Sequence, residues 1–278
     1  MSRIMITSDL HYCEPVWYEV TSEDRMARLI RDLNAEYEKE PFDMLLMLGD
    51  YSLDFWVFPP YGSVLNRGVS YTEKFMADVY PHLPPCPKHM IAGNHEQYGN
   101  ENWKRITGHE RRMTVPYGDY LFVILDNFGG DLDPTDNSDG TYTPSDISYI
   151  REQMAAYPDT KVFLCAHDFN MEKEPQEFCE LLKTEERIIC LFAGHTHRSD
   201  ITDLGEDCGH KCLIRDGQFS YSRDIENSRW GWRELRFCDD GSVTTAYITP
   251  DSDMVLGGEM CHHEAGRQDE MVLIAPSK

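Results

Sequence analysis

The sequence predicts an α/β fold in which mixed β-sheets are layered between outer helices. Three observations carry that prediction. Five apolar runs of strand length, Ile4 to Thr7, Met44 to Leu48, His89 to Ala92, Val162 to Cys165 and Ile188 to Ala193, read as buried strands. The first two are joined by a stretch with helical periodicity, the pattern of a βαβ crossover between parallel strands. After residue 197 helical periodicity gives way to short strand-like runs separated by turn signals.

In chain order, Thr21-Ser22-Glu23-Asp24 offers N-caps and early acidic residues. Met26, Leu29, Ile30, Leu33 and Tyr37 then repeat at helical spacing, and Pro41 lies past the end. Residues 52 to 70 lack periodicity and are dense in aromatics, from Phe55 and Trp56 to Tyr61. They read as a long loop that either pins itself down or walls a cleft. A short helix is expected around Tyr71 to Tyr80, before the Pro84-Pro85-Cys86-Pro87 turn. Residues 113 to 126 read as two strands about Pro116-Tyr117-Gly118-Asp119. Gly129 to Asp139 is an acidic, turn-rich loop whose spacing does not match a calcium loop.

Ser145 is expected to cap a helix through Met154, and a further helix spans roughly Pro175 to Thr184. Strands are expected over Lys211 to Asp216, Gly217 to Tyr221, Gly231 to Cys238 and Ser242 to Thr249. The last two are joined by an Asp239-Asp240-Gly241 hairpin turn. No internal repeat and no linker to a second domain is evident. Cys208-Gly-His-Lys-Cys212 with Cys261-His262-His263 is too loosely spaced for structural zinc and reads as incidental composition.

The 278 residues suffice for one large domain with a substantial core. The formal charge is 26 − 49 = −23 and the pI is near 4.7. Such a surface repels polyanions and lacks the basic footprint of nucleic-acid binding, which argues against a nuclease. No apolar window reaches membrane-spanning length, so no membrane partner is expected. The first residues enter a strand with no signal-peptide pattern. Nine scattered cysteines, some within core strands, suggest free thiols and a cytoplasmic location.

Each of the five apolar runs is followed by a polar fragment. These are Asp9-Leu10-His11, Gly49-Asp50, Gly93-Asn94-His95-Glu96, Ala166-His167-Asp168 and Gly194-His195-Thr196-His197. Singly, most read as turns, because Gly, Asn and Asp tolerate positive φ. Together they put carboxylate, imidazole and amide groups at successive strand C-terminal ends, where open α/β sheets build sites. Two histidines at i and i+2 in a Gly-led loop can aim at one centre. The donor set suits hard or borderline divalent ions and contains no soft thiolate.

The ordered set D-x-H, G-D, G-N-H-E, a lone H and G-H-x-H resembles the calcineurin-like metallophosphoesterase superfamily, which includes bacterial cyclic-nucleotide phosphodiesterases. The resemblance covers roughly residues 1 to 249, taken as the metallophosphoesterase domain. Residues 250 to 278 remain a C-terminal tail of unknown role. Glu96 stands where members often have Asp, and Arg198 directly follows the last motif. The resemblance implies a four-layer sandwich of two mixed sheets flanked by helices, and two divalent metal ions, with Mn, Fe or Zn expected. It assigns Asp9, His11, Asp50 and His197 to one ion and Asp50, Asn94, His167 and His195 to the other. Asp50, whose two oxygens can bridge two cations, joins the pair.

Two such ions would hold a bridging water as hydroxide and hydrolyse a phosphate ester in line. His95, beside a ligand without being one in the family pattern, is the expected general acid. Glu96 is expected to polarise the His95 ring or to serve as a helix-start carboxylate. Asp168 is either a support for His167 or a loop carboxylate. Arg198, Tyr12, Tyr51 and Trp56 are candidate substrate contacts, with ion pairing for Arg198 and core packing for the two tyrosines as alternatives. The expected function is hydrolysis of small phosphate esters, with phosphodiesters favoured. Phosphomonoester or pyrophosphate hydrolysis of a nucleotide-like substrate is the alternative, and a non-enzymatic scaffold would lack ligands that this sequence has. The oligomeric state is not legible.

Overall fold

The elements follow in chain order as β1 (Ser2–Thr7), α1 (Ser22–Lys39), β2 (Met44–Met47), α2 (Tyr71–Asp78), β3 (Lys88–Met90), α3 (Asn100–Thr107), β4 (Met113–Tyr117), β5 (Tyr120–Ile124), α4 (Ile147–Ala156), β6 (Lys161–Cys165), α5 (Gln176–Thr184), β7 (Ile188–Ala193), β8 (Ile201–Asp203), β9 (Cys212–Arg215), β10 (Trp232–Phe237), β11 (Val243–Thr249), β12 (Ser252–Leu256), β13 (Glu259–His263) and β14 (Gly266–Ile274). This computed structural model describes residues 2–14, 20–56, 69–129, 139–220, 229–256 and 259–276. Most of the expected aromatic loop (57–68) and acidic loop (130–138) lies outside the described residues.

The strands form two six-stranded mixed sheets, ordered β14-β11-β10-β1-β2-β3 and β4-β5-β6-β7-β9-β8, and β12 pairs with β13. β1, β2 and β3 are mutually parallel, as are β5, β6, β7 and β9. The period-2 alternation of strand side chains sorts each strand into two cores. Ile4, Ile6, Met44, Leu46 and Leu48 face Phe122, Ile124, Phe163 and Phe192 between the sheets. Met5, Leu45 and Met47 point outward onto Met26, Leu29 and Leu33 of α1. Leu121, Val123, Leu164 and Leu191 point the other way, onto Ile150 and Met154 of α4 and Phe178 and Leu182 of α5. The result is the helix–sheet–sheet–helix sandwich that the resemblance implies.

Thr21 caps α1, its side chain accepting the Asp24 N–H at 3.0 Å. Helix α4 starts later than expected and is capped by Asp146, because the Ser145 hydroxyl instead donates to Glu174 at 2.7 Å. The strand expected over Gly217 to Tyr221 reduces, among the described residues, to a single bridge between Gln218 and Trp230. Chain beyond residue 249 continues the fold: after the β12–β13 hairpin, β14 pairs antiparallel with β11 as an edge of the first sheet. A charged knot ties that sheet to α1. Arg3 donates to Glu36 at 2.7 Å and Glu234 at 2.8 Å, Arg236 to Glu40 at 2.7 and 2.9 Å, and Arg267 to Glu234 at 2.9 Å.

Candidate metal centre at the strand ends

All five motif fragments meet at the C-terminal ends of β1, β2, β3, β6 and β7. Among the described non-glycine residues, those with left-handed φ are Asp9 (52°), His11 (47°), Asp50 (55°), His195 (64°), His197 (59°), His210 and Asp269. Five of the seven belong to the motifs. Such backbone is sparsely populated and persists only where surrounding contacts over-determine it. The motif glycines answer a second constraint, close approach. A Cβ on Gly93 would lie 2.1 Å from Asp50 Oδ1, and one on Gly194 would lie 2.3 Å from Ser8 Oγ and 2.6 Å from Asp9 Oδ2.

Asp50 stands at the centre. Its Oδ2 lies 3.4 Å from His11 Nε2, 3.2 Å from His167 Nε2 and 3.8 Å from His95 Nε2. On one side Asp9 Oδ1 faces His197 Nε2 at 3.3 Å and His11 Nε2 at 3.9 Å. On the other, the Asn94 amide oxygen lies 2.9 Å from both His167 Nε2 and His195 Nδ1. His167 Nδ1 meets the Leu48 carbonyl at 2.6 Å. That contact makes Nδ1 the donor and aims Nε2 at the centre, the arrangement usual for metal-binding imidazoles. Three overlapping groups, Asp9–His11–His197, His11–Asp50–His95 and Asp50–His167–His195, each bring their ligand atoms within 4.8 Å of one another. Asp9 Oδ1 is buried and accepts no hydrogen bond among the described residues. A buried carboxylate oxygen so placed, within a hard and borderline donor set, fits a cation.

Three buried guanidinium groups hold the loops that carry these candidate ligands. Arg25 of α1 donates to the carbonyl oxygens of Leu10 (2.6 Å), His11 (2.8 Å) and Phe219 (2.9 Å). Arg111 donates to those of Glu96 (2.8 Å) and Tyr98 (2.9 Å) and pairs with Asp126 at 2.7 Å. Arg233 of β10 donates to those of Ser199 (2.7 Å) and Arg215 (2.8 Å). The planar fork of arginine suits simultaneous capture of several carbonyls, which a lysine cannot reproduce. None of these roles was legible in the sequence.

The imidazoles around the cluster hold its carboxylates in their charged form. Burial alone would raise Asp9, but the charges of His197 and His167 hold it below the usual carboxylate range. Asp50 is likewise held well down against burial, by the charges of His167 and His95 and hydrogen bonds from His11 and His167. Burial pushes His11 down to about 4, whereas Asp50 outweighs burial at His167 and pushes it up to about 10.

Glu96 corrects an expectation. Both of its oxygens are taken by backbone: Oε2 accepts from Asp50 (2.8 Å) and Gly93 (2.9 Å), and Oε1 from Ser52 (3.0 Å). It therefore fastens the Asp50 loop and does not polarise the His95 ring. Nor does it begin a helix, since α3 starts at Asn100. Burial and the neighbouring Asp50 charge push it up to about 8.

Of the expected substrate contacts, Trp56 meets a residue of the site. It is partly exposed and sets its ring against that of His95, with centroids 5.2 Å apart at 77°. Tyr51 is wholly buried, its hydroxyl donating to the Met47 carbonyl at 2.7 Å, and Phe55 packs on Tyr98. Tyr12 is buried in the same core against Tyr71. Both tyrosines thus face the core, as core packing had them. Arg198 is exposed beyond His197. Asp168 is buried, and its carbonyl accepts from Asn127 Nδ2 at 2.9 Å. Phe128, which sequence reading passed over, packs its ring on His167 and His195 at 5.7 and 5.8 Å.

A four-layer sandwich with carboxylates and imidazoles converging at its strand ends is an architecture that presents a candidate metal centre. The chain belongs to the calcineurin-like phosphoesterase family, whose model matches residues 2–199. Among solved structures it is similar to purple acid phosphatase PPD1 from yellow lupin (Lupinus luteus) seeds, with 14% identity and a TM-score of 0.55. That likeness covers 96% of this chain and 54% of the lupin chain, so this chain spans about half of it. It is also similar to GAP50, the anchor in the inner membrane complex of Plasmodium. There the identity is 11% and the TM-score 0.54, covering 96% of this chain and 89% of that one. No curated protein matches the chain. No helix among the described residues is long and apolar enough to cross a membrane.

Proposed function

We propose that this phosphoesterase hydrolyses small phosphodiesters with an aryl or nucleotide-like group, using two divalent ions of the Mn, Fe or Zn kind. The observation that carries the two-ion reading is Asp50, whose Oδ2 lies between His11 at 3.4 Å and His167 at 3.2 Å, one from each ligand group. Asp9, His11, Asp50 and His197 would hold one ion, and Asp50, Asn94, His167 and His195 the other. The pair would supply Lewis acidity to the phosphoryl oxygens and make water easier to deprotonate.

The chain's own residues contribute the rest. His95, 6% exposed, keeps Nε2 at the rim of the ligand cluster, 3.3 Å from the Asn94 amide nitrogen and 3.8 Å from Asp50 Oδ2. From there it can carry a proton to the departing alkoxide, a contribution of typically ~10²–10⁴-fold. The Trp56 ring beside His95 offers an apolar wall for an aryl or base group. A chain of net charge −23 repels long polyanions, which supports small esters over nucleic acid polymers. Nine free cysteines support a cytoplasmic location.

The test is a metal-reconstituted screen over cyclic nucleotides, aryl diesters, monoesters and pyrophosphate, repeated with His95→Asn. Diester turnover should lead. The variant should keep its metals and lose ~10²–10⁴-fold on poor leaving groups, with a smaller loss on activated aryl esters. Faster monoester turnover would overturn the diester reading. Equal losses on both ester types, or loss of metal, would remove His95 from the acid role.

A further inference from the structure

Away from the strand ends, two cysteines meet. Cys179 sits on α5 and is partly exposed; Cys208 closes the short 3₁₀ turn Glu206–Cys208 and is 3% exposed. Their sulfurs stand 2.8 Å apart across a sequence separation of 29 residues. That is inside the contact distance of unbonded sulfurs and beyond a covalent S–S bond of about 2.05 Å. The turn is already seated on the helix: a Cβ on Gly209 would lie 2.8 Å from Lys183 Cα. Closing the bond therefore asks little of the backbone. Cys165 and Cys190, by contrast, are fully buried between the sheets, with no exposed face for a reagent.

We propose that Cys179 and Cys208 are an oxidation site, a dithiol that takes two oxidising equivalents from a small-molecule disulfide such as glutathione disulfide. The different exposure of the two sulfurs sets the order of events. The Cys179 thiolate, reachable from solvent, attacks one sulfur of glutathione disulfide, forming a mixed disulfide and releasing one glutathione. The Cys208 thiol then loses its proton to solvent and attacks Cys179 Sγ, forming the internal disulfide and releasing the second glutathione. The protein dithiol is oxidised and one glutathione disulfide is reduced to two thiols. Burial and the neighbouring Cys179 push Cys208 up to about 12, in keeping with its place as the second sulfur to react.

The test treats the folded, metal-loaded full chain with glutathione disulfide, then counts thiols after denaturation and maps the peptides by mass. The nine thiols of the reduced chain should fall by two to seven, with Cys179 joined to Cys208 and no glutathione retained. The oxidised chain should melt about 5 °C or more above the reduced one, since the bond closes a loop of about 30 residues. Cys208→Ala should instead trap one glutathione on Cys179, and Cys179→Ser should keep its remaining eight thiols. The proposal is overturned if the wild type keeps all nine thiols, retains glutathione as Cys208→Ala does, or links a different pair. These readouts are independent of phosphoesterase activity.

Discussion

Glu96 Oε2 accepts the backbone N–H of Asp50 at 2.8 Å, so the carboxylate after His95 holds the central residue of the candidate metal site by its main chain. The same oxygen accepts from Gly93, and its twin from Ser52. One buried side chain thereby fixes two ligand loops against each other. Glu96→Ala should leave three backbone donors unsatisfied, costing about 2–4 kcal/mol in urea unfolding. It should also weaken metal binding by about tenfold or more, measured by equilibrium dialysis. Unchanged metal affinity would show that the Asp50 loop holds its shape without Glu96.

Arg25 does for the Asp9–His11 turn what Glu96 does for Asp50. Both Asp9 and His11 have left-handed backbone, and Arg25 ties down the carbonyls of Leu10 and His11. Arg25→Lys keeps the charge but loses the fork. The metal dissociation constant should rise by about tenfold, well below the melting temperature. A variant that melts lower but binds metal as tightly as the wild type would make Arg25 a purely structural residue.

Trp56 is expected to act on substrate and not on metal. Trp56→Ala should raise KM for nucleotide-like diesters by about tenfold, equivalent to about 1.4 kcal/mol of uniform binding. Metal content and hydrolysis of a minimal ester should stay nearly the same. Equal effects on every substrate would make Trp56 a support for the His95 ring.

Acid should loosen the knot at Glu234. Burial would raise this carboxyl, but hydrogen bonds from Arg236, Arg3 and Arg267 outweigh it and hold it at about 2 against an ordinary 4.5. A depressed folded value means the contribution is fully present above about pH 4.5 and is shed as pH falls towards 2. With Arg236 and Arg267 partly exposed, about 2 kcal/mol is the expected size. Denaturant titrations between pH 6 and 2.5 check this. Glu234→Gln should be less stable at neutral pH and show a shallower acid dependence.

The strands that deliver the ligands were legible because both faces are covered. Met44–Met47 and Ile188–Ala193 are apolar whichever way they point, so their runs stand out. β14 was not: it is an edge strand whose Arg267, Gln268, Asp269 and Glu270 are exposed, so only the short apolar run Met271 to Ile274 marks it. Helix α3 is faint in the sequence because Gly99 supplies no side-chain cap and its buried members are Trp103 and Thr107 alone. The metal-ligand types could be read from chain order. The direction of Glu96 and the carbonyl clamps of Arg25, Arg111 and Arg233 could not, because each depends on a partner distant in sequence or on which way a side chain turns within its own loop.

Two cations that would share Asp50 are the central expectation, and metal stoichiometry tests it most directly. Protein stripped with chelator, reconstituted with Mn, Fe or Zn and freed of excess ion should carry two metal ions per chain by elemental analysis. Asp50→Asn should lower both occupancies together. One ion or none in the reconstituted wild type, or loss of a single ion in Asp50→Asn, would contradict the account.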